Sequence, residues 1–344
     1  MEKIKNYINM LNNKNILVTG GTGSFGQKFV NNVLLKYKPK RLIIFSRGES
    51  KQSLMTEKFS PKKYKCLRYF IGDVRDFERL KIATRDIDVI VHAAAMKQVP
   101  ASEYNPIECI KTNIYGAQNI VLASIENKVK KVIALSTDKA VNPINLYGAS
   151  KLASDKLIIS ANNLSAGKGP LFSVVRYGNV YGSTGSVVEL FDKLKKTKFP
   201  FPITNKLMTR FVISLDQGVN FVLKSLEMMK GGEILIPKIP SIRIIDLAKA
   251  IDNNKKHSIV GIRPGEKIHE AMTAKDDNNL LIEFKNYFLQ LPSYTLSKKE
   301  IEKFKIGSKG EKGKNVMLNF SYTSDNNKFL SIKEIKDFIK KQNN

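Results

Sequence analysis

A glycine-rich turn between a short apolar strand and a helical segment constrains the fold more than any other feature of this chain. Residues 19–26 read TGGTGSFG, so Gly20, Gly23 and Gly26 form the pattern GxxGxxG. Glycine lets the backbone turn sharply and approach a pyrophosphate, which the free N–H groups at the start of the helix can bind. In this strand–turn–helix context the pattern predicts a dinucleotide-binding unit. Further candidate cofactor contacts in the same turn are Thr22, Ser24 and Phe25.

Apolar strands and helical segments then alternate along the first half of the chain. Between the strand candidates lie segments with helical periodicity, such as 107–127 and 147–162. This alternation predicts an α/β fold with a doubly wound parallel sheet, and the uninterrupted apolar strands fit burial on both faces. After the first strand, the strand candidates are residues 41–46, 66–72, 88–95, 131–136 and 172–179.

The alternation weakens from about residue 179, where proline interrupts short apolar runs. We expect residues 1–178 to form a Rossmann-like domain that binds the dinucleotide. Residues 179–211 and 241–300 are expected to form a smaller substrate-binding lobe, while 212–240, with the apolar run GEILIP, returns to the main sheet. The polar residues 301–344 are interpreted as a C-terminal extension.

Charge and hydropathy narrow the classes of protein to which the chain can belong. Its 58 basic and 31 acidic side chains give a formal net charge of +27. The lysines are spread along the chain without a nucleic-acid-binding motif, so we expect no nucleic-acid partner, whereas an anionic small substrate suits the charge. The sequence has no apolar run of about 18 residues and begins with a polar segment, so we expect a cytoplasmic protein without a membrane partner.

The two cysteines, Cys66 and Cys109, are isolated from each other and from histidine. Neither has the spacing of a metal-binding or redox motif. We expect buried reduced thiols and no metal site.

The residues at the end of the second strand candidate indicate whether the chain binds NAD or NADP. An acidic residue here would bind the ribose 2′-hydroxyl of NAD. This chain has Ser46 and Arg47 instead, with Lys51 one turn later, and cations suit a 2′-phosphate. The sequence therefore predicts NADP. Further cofactor contacts are expected after the third and fourth strands, from Asp73, Val74, Ala93 and Lys97.

Tyr147 and Lys151 lie four residues apart on a predicted helix, so both face the same side. An ammonium near a tyrosine lowers the pKa of the phenol, which would let Tyr147 accept a hydroxyl proton while hydride leaves the same carbon. Just upstream, Thr137, Asp138 and Lys139 follow the fifth strand. Asp138 can act as an acid, and Lys139 can act as a base if nearby cations lower its pKa.

The glycine turn, HAAA at 92–95, the pair 136–137 and the YxxxK pattern resemble the extended short-chain dehydrogenase/reductase family, over residues 14–295. The resemblance implies that Tyr147, Lys151 and Thr137 oxidise C4 of a nucleotide-linked sugar. Longer segments, including STDKAVNPINLYGASK, MTRF and GIRPGEKIHE, resemble the inverting 4,6-dehydratases of the pseudaminic acid pathway. Those enzymes act on UDP-N-acetylglucosamine.

This closer resemblance implies a reaction path and a set of substrate contacts. Tyr147 would take the C4 hydroxyl proton as hydride passes to NADP, Lys139 would remove the C5 proton, and Asp138 would assist loss of water from C6. The product would be a 6-deoxy-4-keto sugar with inverted C5. A homo-oligomer, dimer or hexamer, is also implied. The implied substrate contacts are Lys97, Thr112, Asn179, Val180, Ser183, Thr204, Arg263 and Glu266.

Several alternatives remain open at this point. A related 4,6-dehydratase of capsule or O-antigen synthesis would share the TDK sequence. A UDP-sugar 4-epimerase needs hydride removal and return only, and it would leave Asp138 and Lys139 without a role. A non-catalytic NADP sensor would not need Tyr147 and Lys151. We expect the remaining conspicuous side chains, His92, His269 and Tyr181, to pack rather than to take part in catalysis.

Overall fold

The computed structural model describes residues 10–165, 169–183, 185–294 and 296–343. Residues 1–9, which contain most of the polar segment used to argue against a secretory signal, lie outside these ranges. Within the described ranges, no helix is both long enough and apolar enough to cross a bilayer.

The strands and helices of the described residues follow the alternation that the sequence predicts. The strands are β1 (Asn15–Thr19), β2 (Arg41–Ser46), β3 (Leu67–Ile71), β4 (Val89–His92), β5 (Lys131–Thr137), β6 (Leu171–Tyr177), β7 (Asn179–Val180), β8 (Phe201–Ile203), β9 (Thr209–Ile213), β10 (Ile234–Pro237), β11 (Ser241–Arg243), β12 (His257–Ile259), β13 (Leu281–Glu283), β14 (Tyr287–Gln290) and β15 (Lys314–Asn315). The helices are α1 (Ser24–Lys36), α2 (Glu49–Lys58), α3 (Phe77–Ala83), α4 (Val99–Tyr104), α5 (Pro106–Ile110), α6 (Gly116–Glu126), α7 (Leu146–Leu164), α8 (Val187–Lys195), α9 (Leu215–Met228), α10 (Ile244–Ile251), α11 (Lys298–Phe304) and α12 (Ile332–Asn343). Lys111–Tyr115 form a π-helical turn, and 3₁₀ turns occupy Asp138–Ala140 and Lys275–Leu280.

A parallel sheet with the order β10-β6-β5-β4-β1-β2-β3 forms the centre of the protein. All residues of β1 and β4 are buried, because helices cover both faces of the sheet. The chain leaves β1 toward β2 on one side and returns to β4 on the other, so the strand order reverses between them. This arrangement confirms the predicted doubly wound α/β fold, and ligands bind such sheets where the order reverses.

At the far edge of the sheet, the observed strands differ from the lobe assignment made from the sequence. β10 joins the main sheet parallel to β6, as the GEILIP run predicts. However, β13 and β14, within the range 241–300 assigned to the substrate-binding lobe, extend the main sheet as antiparallel strands. The reason is that YFLQ at 287–290 is buried throughout and covers the edge that β10 would otherwise expose. The division into two lobes remains an interpretation.

Two small sheets, β11-β9-β7 and β12-β8, stand beside the carboxyl ends of the parallel strands. Their own apolar cluster includes Phe191, Phe201 and Ile203, which are fully buried. The C-terminal helix α12 inserts Ile335 into a second small cluster that contains Leu247 of α10. The extension is therefore packed against this region along its last helix.

Both cysteines are free thiols, but only one is buried. Cys109 lies in the interior, whereas Cys66, directly before β3, is half-buried. The expectation of two buried thiols is therefore wrong for Cys66, which lies where the chain enters the sheet from the surface.

Candidate active site

A cavity of about 1370 Å³ opens where the strand order reverses, between the main sheet and the small sheets. This volume exceeds the roughly 300–1,000 Å³ of a typical single-ligand site, so it can accommodate a dinucleotide and a second ligand. All of the sequence-predicted site residues except Gly26 line it: Thr137, Asp138, Lys139, Tyr147 and Lys151; Gly20, Thr22, Gly23, Ser24, Phe25, Ser46, Arg47, Lys51, Asp73, Val74, Ala93 and Lys97; and Thr112, Asn179, Val180, Ser183, Thr204, Arg263 and Glu266.

The glycine turn brings the start of α1 close to the ends of β1 and β4. Gly20 has a φ of +64°, and a Cβ atom there would lie 2.9 Å from the amide nitrogen of Ala94. A Cβ at Gly26 would overlap the carbonyl of Gly21, so Gly26 packs beneath the turn. Gly23 is the N-cap and has no side chain to occupy the first N–H groups of the helix. This backbone fits a pyrophosphate.

Thr19 and His92 support the turn from below. The Thr19 hydroxyl accepts hydrogen bonds from the amides of Ala93 (3.1 Å) and Ala94 (3.2 Å), so its own proton goes to Nδ1 of His92, 2.8 Å away. Burial, together with the nearby Lys151 ammonium, lowers the pKa of His92 to about 3. His92 is therefore neutral and holds the turn in place.

Positive charge lies at the end of β2, as the sequence predicts. Arg47 is 57% exposed, and its Nη1 is 3.7 Å from Oδ2 of Asp73. Arg75 binds the same carboxylate more closely, at 2.7 and 2.9 Å. Burial acts to raise the pKa of Asp73, but the bonds from Arg75 outweigh it and lower that pKa. Arg75 also pairs with Glu108, so Arg47 and Arg75 together face two carboxylates, and it is the exposure of Arg47 that makes it accessible to a ligand.

β5 ends in the catalytic candidates and leads through a 3₁₀ turn to α7. The Thr137 hydroxyl donates to Oδ1 of Asp138 at 2.9 Å, and Nζ of Lys139 donates to the same oxygen at 3.0 Å. Asn145 caps α7 by accepting from the amide of Gly148. A Cβ atom at Gly148 would overlap the carbonyl oxygen of Lys139, so the turn packs directly against the first turn of α7, which carries the tyrosine of the YxxxK pattern.

The structure corrects the predicted pKa of Tyr147. Burial raises the pKa of Tyr147 to about 12, and the carboxylates of Asp138 and Asp155 add to this effect. The Lys139 ammonium offsets it only in part. The expectation that Lys151 makes Tyr147 acidic is therefore wrong for this arrangement, because desolvation outweighs the nearby cations.

The structure also corrects the predicted pKa of Lys139. Its Nζ is 3.0 Å from Oδ1 of Asp138 and 3.0 Å from Oε1 of Glu270. Burial acts to lower the pKa of Lys139, but these two carboxylates outweigh it and raise that pKa above its usual range. The expected neutral amine is therefore wrong: Lys139 is a doubly paired ammonium, because Glu270, which no local pattern connects to Lys139, adds a second carboxylate.

Residues 16–292 match the family described as polysaccharide biosynthesis protein. The chain belongs to this family, which is part of the extended short-chain dehydrogenases/reductases. It is 57% identical over 332 residues to UDP-N-acetylglucosamine 4,6-dehydratase (inverting) of Campylobacter jejuni subsp. jejuni serotype O:23/36 (strain 81-176), covering 96% of this chain and 98% of that protein. It is 40% identical over 338 residues to UDP-glucose 4-epimerase of Rickettsia bellii (strain OSU 85-389), covering 96% of both. The X-ray structure of Pen from Bacillus thuringiensis matches with a TM-score of 0.86 at 35% identity, covering 97% of this chain and 99% of that chain.

Within this dehydrogenase/reductase site, most substrate candidates lie on or after strands of the small sheets, whereas Lys97 and Thr112 come from segments that follow β4. Thr112 is on the π-helical turn, and its buried hydroxyl has no hydrogen-bond partner among the described residues. Arg263 is exposed at the mouth of the cavity, and Oε1 of Glu266 is 3.5 Å from Nη2 of Arg210. The hydroxyl of Thr204 points at the sulfur of Met208, 3.1 Å away.

Two of the other conspicuous side chains pack outside the cavity lining. Nδ1 of His269 is 2.8 Å from the hydroxyl of Thr209. Tyr181 makes an edge-to-face contact with Phe338 of α12, with ring centroids 5.4 Å apart.

Sequence reasoning missed three charged residues of the site: Asp155, Arg210 and Glu270. Asp155 is buried behind Tyr147 and forms an ion pair with Arg176 at 3.3 Å. Arg210 and Glu270 lie in the segments MTRF and GEKIHE, which carried the family resemblance. No local pattern indicated their roles, because both meet Lys139 only through the tertiary fold.

Proposed function

We propose that this protein is a UDP-N-acetylglucosamine 4,6-dehydratase that inverts C5 and uses a nicotinamide dinucleotide, NADP. The observation that carries the proposal is the Asp138–Lys139 pair, joined at 3.0 Å in the same cavity as Tyr147 and Lys151. Oxidation at C4 needs a proton acceptor and a hydride acceptor only. Removal of the C5 proton and departure of the C6 hydroxyl need the additional base and acid that this pair supplies.

The relatives support the same activity. The Campylobacter jejuni relative is named for it and aligns over nearly the whole chain. The Rickettsia bellii relative is named as a 4-epimerase, which makes epimerisation the second candidate. We favour dehydration because epimerisation would leave a buried acid–base pair without a function.

Separate groups of residues would hold the pyrophosphate, the 2′-phosphate and the adenine of the cofactor. The turn at Gly20 and Gly23 would bind the pyrophosphate, and Arg47 with Lys51 would bind a 2′-phosphate, which is the basis for NADP over NAD. Asp73 and Val74 would flank the adenine. When bound, the nicotinamide would supply the group that accepts a hydride from C4 and returns it to C6 of the sugar.

The reacting groups of the protein divide into two sets. Tyr147, beside Thr137, would exchange a proton with the C4 hydroxyl. Asp138 and Lys139 would act on the C6 oxygen and the C5 proton, which the C4 ketone makes acidic. Arg263 would bind the diphosphate.

Glu266 would accept ribose hydroxyls, and Lys97 and Thr112 would contact the sugar. The product would be a 6-deoxy-4-keto sugar with inverted C5, and we propose that it is the first intermediate of pseudaminic acid synthesis.

The proposal is tested by incubating the purified protein with UDP-N-acetylglucosamine, with and without added NADP, and weighing the nucleotide product by mass spectrometry. The expected product has lost one water. A product of unchanged mass that co-elutes with UDP-N-acetylgalactosamine would instead establish the epimerase. No conversion in either condition would reject both.

A further inference from the structure

One ammonium is held between two buried carboxylates in the cavity. Nζ of Lys139 lies 3.0 Å from Asp138 and 3.0 Å from Glu270, and the carboxylate side chains are 1% and 2% exposed. The second oxygen of each, Oδ2 of Asp138 and Oε2 of Glu270, is buried and has no hydrogen-bond partner among the described residues. Burying two carboxylates beside one ammonium carries a desolvation penalty that the bonds to Lys139 do not fully offset, because the second oxygens are left without partners.

The two carboxylates differ in what else they contact. Nε of Arg210 lies 3.9 Å from Oε1 of Glu270. The guanidinium is fixed in place because it donates to three backbone carbonyls, those of Thr209, Lys267 and Ile268. Asp138 accepts its other hydrogen bond from the neutral hydroxyl of Thr137. Glu270 is therefore held by a fixed second cation, whereas Lys139 is the only ion-pair partner of Asp138 among the described residues.

We propose that Glu270 is a positioning residue for water loss: its carboxylate holds the Lys139 side chain beside Asp138, so that a single proton can pass between Lys139 and Asp138. This inference rests on the proposed dehydratase function. Glu270 does not contact the sugar in the proposed path, and it does not belong to the YxxxK or TDK pattern. Its role is exerted through Lys139.

The proton balance closes over one round of water loss. Lys139 first passes a proton to Asp138, which gives the free amine and the carboxylic acid. The amine then takes the C5 proton, and the electrons of the C5–H bond form the C5=C6 double bond as the C6–O bond breaks. Asp138 gives its proton to the departing oxygen, which leaves as water. Both groups end in their starting forms, and Glu270 stabilises the ammonium that Lys139 regains.

The effect of Glu270 on the pKa of Lys139 can be measured. Glu270 raises the pKa of Lys139, so replacing it with a neutral residue should lower that pKa. The form of the enzyme that starts the cycle carries the ammonium, so activity falls as Lys139 loses its proton. The charged or titratable groups facing this ammonium are Asp138, Glu270, Arg210, Tyr147 and Lys267.

The test compares Glu270→Gln with Glu270→Asp and with a matched control, Glu233→Gln. Glu233 is likewise fully buried with one unpartnered oxygen, but it precedes β10 at the opposite end of the sheet. In Glu270→Gln we expect water loss to slow on the order of 100-fold, because Lys139 loses the carboxylate that positions it, while the reduced nicotinamide still forms on mixing with substrate. We expect Glu270→Asp to recover part of the rate and Glu233→Gln to keep the wild-type rate.

The pH dependence separates positioning from a merely structural role. The basic limb of the pH–rate profile should move to lower pH in Glu270→Gln. The pH at which acetic anhydride begins to acetylate Lys139, measured by peptide mass spectrometry without substrate, should move the same way. Thermal unfolding of each variant confirms that the compared proteins are folded.

Each result bears on either this inference or the proposed function. If the wild type produces the dehydrated sugar and Glu270→Gln matches its rate and both pH dependences, the role of Glu270 is rejected. If Glu270→Gln does not fold, Glu270→Asp provides the test. The role of Glu270 is then rejected if Glu270→Asp is fully active and its Lys139 is acetylated over the same pH range as in the wild type. A wild type that produces no dehydrated sugar overturns the proposed function itself, whatever the variants do.

Discussion

At the scale of single residues, the protonation of Lys139 depends on a carboxylate far away in the sequence. The TDK sequence places Asp138 next to Lys139, and this neighbour could be predicted. The second partner, Glu270, comes from the loop after β12 and changes the amine from a candidate free base to an ammonium. A side chain's chemistry is therefore set by the fold, even where its identity is set by a motif.

Removing the Lys139 amine should abolish water loss. We expect Lys139→Ala to lower the rate of dehydration by about 1,000-fold or more, because no other group replaces the C5 base. Mass spectrometry of the nucleotide product measures this rate. Lys131→Ala is the control, because Lys131 is a half-buried lysine at the opposite end of β5, where it donates to the carbonyl of Leu226. Dehydration at the normal rate in Lys139→Ala would remove its assigned role.

Reversing the charge at Arg47 should change the choice of cofactor. We expect Arg47→Asp to weaken NADP binding on the order of 100-fold and NAD binding far less, because only NADP has a 2′-phosphate to repel. Calorimetric titration of both dinucleotides measures the ratio. Arg68→Asp, at an exposed arginine of β3, is the control. An unchanged preference in Arg47→Asp would contradict the assignment of NADP.

The buried His92 should make stability depend on pH. Its pKa is about 3 in the folded protein and 6.5 as a free side chain. Between these values the unfolded chain binds a proton that the folded protein excludes. Stability is therefore fully present above pH 6.5 and falls as the pH decreases through that value, by up to about 1.4 kcal/mol per pH unit.

Urea unfolding of the wild type and His92→Gln between about pH 7 and pH 5 measures this contribution. The variant should lose less stability over that interval than the wild type does. Equal losses in the two proteins would show that His92 is not the group responsible.

At the scale of elements, the sequence predicts strands that have a local pattern and misses strand pairings between distant segments. Strands β1 to β6 could be located because each is an apolar run between turn or helix signals, and all five later strand candidates overlap an observed strand. The addition of β13 and β14 to the main sheet was missed. An antiparallel strand on a distant edge is selected by the surface it covers, and that surface exists only after the parallel strands have assembled.

The ion pair between α7 and β6 offers a test of the packing behind the site. Arg176 on β6 and Asp155 on α7 are both almost fully buried, and Ser136 on β5 donates to the same carboxylate at 2.6 Å. We expect Arg176→Met to lower the free energy of unfolding by about 3–5 kcal/mol, because it leaves a buried carboxylate without its cation.

Urea unfolding of Arg176→Met, Asp155→Asn and the double variant measures the coupling. The double variant should be destabilised by less than the sum of the single variants, because the two groups interact directly. Strict additivity would show that the pair contributes no coupling energy.

At the scale of the whole molecule, apolar side chains on α4, α5, the π-helical turn and α6 remain exposed beside the active site. They are Tyr104 (88% exposed), Ile107 (64%), Tyr115 (53%) and Leu122 (41%). Exposed apolar groups clustered on adjacent helices are typical of an interaction surface. We propose that a second copy of the chain covers this surface.

Light scattering tests this proposal. The wild type should be an oligomer, and the double variant Tyr104→Glu, Ile107→Glu should shift toward the monomer, because charges in an apolar interface are costly to bury. Leu54→Glu, at an exposed leucine of α2 on a different helix, is the control. A monomeric wild type, or an unchanged mass in the double variant, would contradict the proposed interface.

In the proposed reaction, the protein removes water across C5 and C6 of UDP-N-acetylglucosamine and returns the C5 proton on the opposite face. An NMR time course of the wild-type protein with this substrate in D₂O follows both events. We expect a C6 methyl signal from a 4-keto sugar, with deuterium at C5 and the coupling of an inverted C5. The signals of UDP-N-acetylgalactosamine without a C6 methyl would contradict it and leave Asp138 and Lys139 without their assigned chemistry.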